Sequence, residues 1–258
     1  MNNSCAGVLY VATGEKHFFE ALNNASLSRE HSTNFPITLV TDCIYCDSAL
    51  RVFDTVSILY KPSFSYRDKL KGMLSLPYPR TLFLDSDARL LAPVSSLFDA
   101  STGSDLAACH APVRLPAGWR DESVPDLFSE INSGVLLWKR SRTQRNLIRE
   151  WLSLYDRLKR EMGQTWDQSS LRSVLWRYIQ RKNFKLSVLP SEANFRTTKP
   201  WVAGKGLPVH VLHGRVPEDE EQTLISFLNH DYDRFRTWSD WFELYPKSAL
   251  KLRIGNKV

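Results

Sequence analysis

Two carboxylates stand one residue apart at the end of Leu82-Phe83-Leu84-Asp85-Ser86-Asp87. In an extended segment side chains at i and i+2 face the same way, so Asp85 and Asp87 should converge. Converged carboxylates repel one another unless a cation sits between them. A few hard oxygen ligands, completed by substrate phosphates, are the usual seat of Mg²⁺ or Mn²⁺. The apolar run 81–84 reads as a strand buried on both faces. That puts the pair at the carboxyl end of a central strand, where open α/β sheets bind ligands. The competing reading is a chance D-x-D in an ordinary turn, where Asp is common.

Other segments offer partners for such a site, each with a plainer reading beside it. In Val209-His210-Val211-Leu212-His213-Gly214-Arg215, a neutral imidazole could complete a divalent site, or could be a hydrogen-bonded core histidine. Gly214 would let the backbone pass close to a ligand. Asp167 and Gln168 follow Trp166 at a helix start and could be first-turn residues favoured by the helix dipole. Asn132-Ser133-Gly134 precedes a strand and could be turn chemistry. The cations of Arg67-Asp68-Lys69-Leu70-Lys71 form a solvated face or reach a diphosphate. Of Cys5, Cys43, Cys46 and Cys109, only Cys43 and Cys46 have motif spacing. Without a second C-x-x-C a structural zinc site is not expected; the pair reads as a thioredoxin-type redox motif after a strand or, more plainly, as reduced thiols near a strand end. The absence of a P-loop and of G-x-G-x-x-G removes most ATPases and NAD(P) enzymes.

These residues need elements to hold them. Strand-like stretches at 7–13, 36–42, 55–60, 81–84, 106–109, 134–138, 186–189 and 209–212 alternate with helical patterns at 16–30, 66–76, 140–161, 166–182 and 220–245. Such alternation predicts an α/β fold with a largely parallel sheet. Residues 112–123, with Pro112, Pro116, Gly118 and Trp119, read as a long irregular loop, a candidate lid or acceptor wall. Its 258 residues, 43% apolar and 24% charged, are ordinary globular composition and are read as one domain, 1–258. A net charge of +6 favours a phosphate-bearing partner and does not point to nucleic acid. Trp151, Trp166 and Trp176 on the basic helices are read as core residues. Residues 1–30 carry no basic leader with a long apolar core, and no run approaches the ~18 apolar residues of a membrane span. A cytoplasmic location is expected. Lys247, Lys251, Arg253 and Lys257 give the C-terminus a basic surface that could touch a membrane peripherally.

Taken in order, the segments from about residue 7 to 215 resemble a GT-A glycosyltransferase, closest to the retaining family-8 type of galactosyltransferases and glycogenins. The resemblance implies an α/β GT-A fold, a mostly parallel mixed sheet flanked by helices. Residues 1–110 would form the nucleotide- and metal-binding half, and 111–258 the sugar and acceptor half. V-A-T-G resembles the strand that cradles the base, implying Ala12, Thr13 and His17 in that pocket. F-L-D-S-D resembles the metal motif, with Asp85 and Asp87 as ligands and Ser86 near the ribose. Lys69 matches the donor-contacting basic residue of the preceding helix. N-S-G-V resembles the N-x-G-V strand, with Asn132 near the donor sugar. W-D-Q-S-S-L resembles the D-Q helix, with Asp167 and Gln168 at the reaction centre. L-P-S-E-A-N-F implies Asn194 near the site, and V-L-H-G-R implies His213 as third metal ligand.

The family usually continues with G-x-x-K-P-W; here Gly214-Arg215 leads into Val216-Pro217 and acids, and the resemblance implies Arg215 standing in for the phosphate-binding lysine. The function so implied is Mn²⁺- or Mg²⁺-dependent transfer of a sugar, with retention. The donor would be a nucleotide-diphosphate-sugar such as a UDP-hexose, and the acceptor a glycan or other hydroxyl. The alternatives are a non-catalytic nucleotide-sugar or glycan-binding module and a sugar nucleotidyltransferase. The latter usually carries a G-x-G-T-R-type loop after its first strand, which residues 11–16 lack. Haloacid-dehalogenase-type phosphatases also place D-x-D after an apolar strand. There it follows the first strand with Thr or Val two residues on, whereas here it follows the fourth and Arg89 holds that place.

Overall fold

The computed structural model describes residues 5–42, 46–111, 121–181, 184–198 and 207–229. Strand β1 (Ala6–Val11) lies inside a seven-stranded sheet beside β2 (Ile37–Thr41), β3 (Thr55–Ile58) and β4 (Arg80–Leu84). Strands β6 (Leu106–His110), β7 (Ile131–Lys139) and β8 (Leu186–Leu189) complete it in the order β3-β2-β1-β4-β7-β6-β8. Strands β1 to β4 are mutually parallel, and β7 alone runs antiparallel to its neighbours β4 and β6. Three short strands, β5 (Ala88–Leu90), β9 (Phe195–Arg196) and β10 (Val211–His213), make a second sheet in the order β5-β10-β9.

The near-continuous apolar strands are explained by cover on both faces. Side chains alternate along a strand, so Val8, Tyr10, Leu82 and Leu84 enter one core with Phe18 and Ala21 of helix α1 (Glu15–Leu27). Leu9, Val11 and Phe83 enter the other core. There they meet Leu70 of α3 (Tyr66–Met73), Trp151 of α5 (Arg142–Met162) and Leu171 of α6 (Gln168–Gln180). In α5 the buried positions Leu147, Ile148, Trp151, Leu154, Tyr155 and Leu158 follow the 3.6-residue period. Ser141 caps that helix by accepting from the Gln144 amide, and Gly163 ends it in the left-handed conformation.

Several boundaries differ from those read in the sequence. Helix α2 (Cys46–Ala49), β5 and α4 (Ser95–Ala100) are additional. Strand β7 begins at Ile131, so Asn132, Ser133 and Gly134 belong to the strand, not to a turn before it. The final described helix, α7, is Glu218–Asn229; the rest of the expected helix 220–245 lies outside the described residues. So do Cys43, residues 112–120 with Trp119, and the basic C-terminal cluster. Cys5 and Cys109 are free thiols. No helix among the described residues is long and apolar enough to cross a membrane.

Candidate active site

Strand β4 delivers Asp85 to the carboxyl end of the sheet's centre, and the chain turns at once, with the Ala88 amide donating to the Asp85 carbonyl at 3.0 Å. Asp85 and Asp87 therefore converge on a tight turn rather than along an extended segment. The turn carries the chain from the large sheet into β5 of the small one. Both sides of it are fastened: the Asp85 amide donates to the Gly134 carbonyl at 2.8 Å, and the Gly214 amide donates to the Asp87 carbonyl at 2.9 Å. Gly214 has φ +116°, and a Cβ there would strike Thr197 Oγ1, so glycine is required.

From the small sheet, His213 points back at the pair. One ligand atom from each of Asp85, Asp87 and His213 lies within 4.8 Å of the other two. His213 Nε2 is 3.5 Å from Asp87 Oδ1 and 3.8 Å from Asp85 Oδ2. Its Nδ1 is 2.9 Å from Asn194 Oδ1, an acceptor, so Nδ1 carries a proton and Nε2 is the ring nitrogen that faces the carboxylates. A Cβ built on Gly134 would lie 2.7 Å from Asp85 Oδ2 and 2.8 Å from His213 Nε2. The glycine thus keeps clear the space between these ligands. Two carboxylates, an oriented imidazole and a gap with no side chain to fill it suit a divalent cation.

Behind the turn, Lys69 is buried between two acids. Its Nζ lies 3.0 Å from Asp85 Oδ1 and 3.2 Å from Asp167 Oδ2, and donates to Ser133 Oγ at 3.0 Å. Burial opposes its charge, but Asp167 and Asp85 outweigh burial and raise its pKa well above the lysine range. Of the basic residues on α3, Lys69 is the one turned inward; Arg67 pairs with Asp156 and Lys71 bonds the Lys61 carbonyl. Asp167 stands at the N-terminus of α6, yet its side chain does not cap that helix. It accepts from Ser133 Oγ at 3.1 Å, while Trp151 Nε1 donates to its backbone carbonyl at 2.9 Å. Replacing Lys69 with alanine leaves two acids facing each other with no counter-cation. Breaking a buried pair this way costs about 3–5 kcal/mol. Urea unfolding should read that loss, and an unchanged midpoint would contradict the pairing.

On the outer rim, Glu20 gathers three of the expected residues. Arg215 donates to it through Nε at 2.6 Å and Nη2 at 3.0 Å, Ser86 Oγ donates at 3.1 Å, and His17 Nδ1 lies 3.2 Å away. Burial works against the Glu20 charge, but these partners, Arg215 first, hold its pKa below the usual glutamate value. Thr13 donates to Asp68 at 2.9 Å.

A cavity of about 430 Å³ collects the site. Ala12, Thr13, His17, Lys69, Asp85, Ser86, Asp87, Asn132, Asp167, Gln168, His213 and Arg215 all line it. Asn194 stands behind His213 instead, donating through Nδ2 to Asn132 Oδ1 at 2.8 Å. His210 does not line the cavity; its Nδ1 lies 3.1 Å from the Pro208 carbonyl. Trp166, expected in the core, is on the cavity wall, while Trp151 is buried and Trp176 packs on Phe128. Phe64, Tyr66 and Arg196 also line the cavity and carried no motif in the sequence. Arg196 pairs in register with His213 across β9 and β10, and burial lowers its pKa against the pull of Asp85 and Asp87.

No family model matches the sequence, and no curated protein is similar to it in sequence. Solved structures are similar in fold. The glycosyltransferase GlyE of Streptococcus pneumoniae superposes with a TM-score of 0.57 at 17% identity, over 98% of this chain and 63% of that one. The chain therefore spans less than two thirds of GlyE. The galactosyltransferase LgtC, solved with donor and acceptor sugar analogs, gives 0.56 at 15% identity, over 92% of this chain and 99% of that one. Mouse xyloside xylosyltransferase 1 gives 0.53 at 14%, over 82% and 99%. The strand order, the turn joining the two sheets and these likenesses lead to one assignment: the chain has the GT-A glycosyltransferase fold.

Proposed function

We propose that this chain is a metal-dependent glycosyltransferase, a single GT-A domain moving a hexose from a UDP-type donor to a glycan or other hydroxyl acceptor. The observation that carries the reading is the convergence of Asp85, Asp87 and His213 on the cavity that Asp167 and Gln168 also line. Residues 1–110 would serve the nucleotide, with Ala12, Thr13 and His17 at the base and Ser86 at the ribose. Residues 111–258 would serve the sugar, with Asn132, Asp167 and Gln168. Asp85, Asp87 and His213 would hold Mn²⁺ or Mg²⁺, which supplies positive charge against the departing diphosphate. Arg215 adds positive potential at the rim, and Lys69 adds it from behind the acids.

The acids of the cavity wall support retention. Transfer with inversion needs a carboxylate free to deprotonate the acceptor. Among the described residues lining the cavity, every acid is already engaged. Asp68 accepts from the Ser63 and Phe64 amides, and Asp85 and Asp167 face Lys69. Asp87 lies between His213 and Arg215. Gln168 offers a neutral amide, better suited to steadying an oxocarbenium-like centre than to taking a proton. A screen of UDP- and GDP-sugars should find turnover that Mn²⁺ supports and EDTA removes, and full activity after exhaustive metal removal would refute metal dependence. Proton NMR of the first product from an α-linked donor should show an α-glycoside; a β-glycoside overturns retention. Donor binding with no turnover of any donor would favour a non-catalytic binding module.

A further inference from the structure

Gln168 lies on the cavity wall, but one of the two side chains that hold it there lies off the wall. Its Nε2 donates to Glu130 Oε1 at 2.9 Å, and its Oε1 accepts from Asn132 Nδ2 at 2.8 Å. Glu130 is 5% exposed, immediately precedes β7 and does not line the cavity. A carboxyl oxygen that accepts from Nε2 holds the amino end of the Gln168 amide toward Glu130. The carbonyl end must then face Asn132.

Asn132 is itself fixed in sense. Its Oδ1 accepts from the Gly134 amide at 3.0 Å and from Asn194 Nδ2 at 2.8 Å, so its Nδ2 is the group left to meet Gln168. Onward, Asn194 Oδ1 accepts from His213 Nδ1. The amide of Gln168 is thus gripped at both ends, by Glu130 on one side and Asn132 on the other. With only the Asn132 bond it would be held at its carbonyl end alone.

We propose that Glu130 is a positioning residue for Gln168, fixing both the place and the sense of its amide at the sugar site. This rests on the reading of Gln168 given above. Glu130 touches no substrate in this scheme. A misplacement of about 1 Å in a reacting group can cost on the order of a hundredfold in rate.

Two variants and one wild-type measurement test it. Glu130→Met keeps the bulk and removes the acceptor; Glu130→Gln keeps an acceptor. In wild type, NMR should show one Gln168 Nε2 proton shifted downfield and slow to exchange with solvent. That signal should persist in Glu130→Gln and move to the position of a free glutamine in Glu130→Met. Using UDP-glucose and UDP-galactose, Glu130→Met should lower kcat by about ten- to a hundredfold, with Mn²⁺ and UDP affinities within about threefold of wild type. Glu130→Gln should recover most of that loss.

An unprotected Gln168 amide in wild type overturns the proposal even if Glu130→Met does not fold. So does a Gln168 signal that is unchanged in Glu130→Met. If wild type turns over no donor at all, the activity reading fails and the amide test still decides the role of Glu130.

Discussion

Asp87→Ala should abolish donor turnover and weaken Mn²⁺ binding by at least about a hundredfold, close to 2.7 kcal/mol. The two aspartates are not equivalent. Asp85 already has the Lys69 ammonium at 3.0 Å, so much of its charge is spoken for. Asp87 is held ionised, well below the usual carboxylate range: burial opposes its charge, but the His213 contact and the Arg215 charge outweigh it. Removing Asp87 leaves a cation little net negative charge to bind. The side chain is partly exposed at the cavity, so the fold should survive, as circular dichroism would show. Calorimetry with Mn²⁺ alone is the direct measurement, and an unaltered dissociation constant would mean that the ion does not sit here.

Gly134→Ala should match that loss with a single methyl group. The new Cβ would occupy the space between Asp85 and His213, and neither can retreat freely. Asp85 is tied to Lys69, and His213 is tied through Nδ1 to Asn194. Backbone strain does not enter, since Gly134 is not among the glycines with positive φ. Overpacking a buried site of this kind costs about 1–3 kcal/mol, which the central strand should tolerate. The expected variant is folded, melts lower and does not bind Mn²⁺. Wild-type affinity in this variant would show that the cluster is not the ion's seat.

The reasons these features were or were not legible in the sequence are physical. Asp85 and Asp87 stood out because an apolar strand ran straight into them, and β4 needs that apolar run to be covered on both faces. Their convergence was foreseen, but from the wrong geometry. The turn is set by β5, a three-residue strand that exists only through its pairing with β10, and three residues are too few for alternation to show. The two-residue β9 was invisible for the same reason.

Lys69 could be named from its motif, but its burial could not, because R-D-K-L-K reads equally well as a solvated face. Glu20 and Glu130 carried no signal at all. Each matters through a partner remote in the chain, Glu20 through Arg215 at 195 residues' separation and Glu130 through Gln168. Trp166 looked like a core residue because aromatic residues usually are; its place beside Asp167 put it on the wall instead.

The Asp85–Asp87 turn has one further consequence. Because it is the passage from the large sheet to the small one, an ion held by Asp85, Asp87 and His213 would be a cross-link between chain segments far apart in sequence. Such a bond belongs to the folded state alone, so it adds to stability by mass action, about 2.7 kcal/mol at a hundred times the dissociation constant. The gain would fall first on the small sheet, whose strands of two and three residues have little pairing of their own. Cellular metal supply would then set how long the chain survives proteolysis as well as how fast it works.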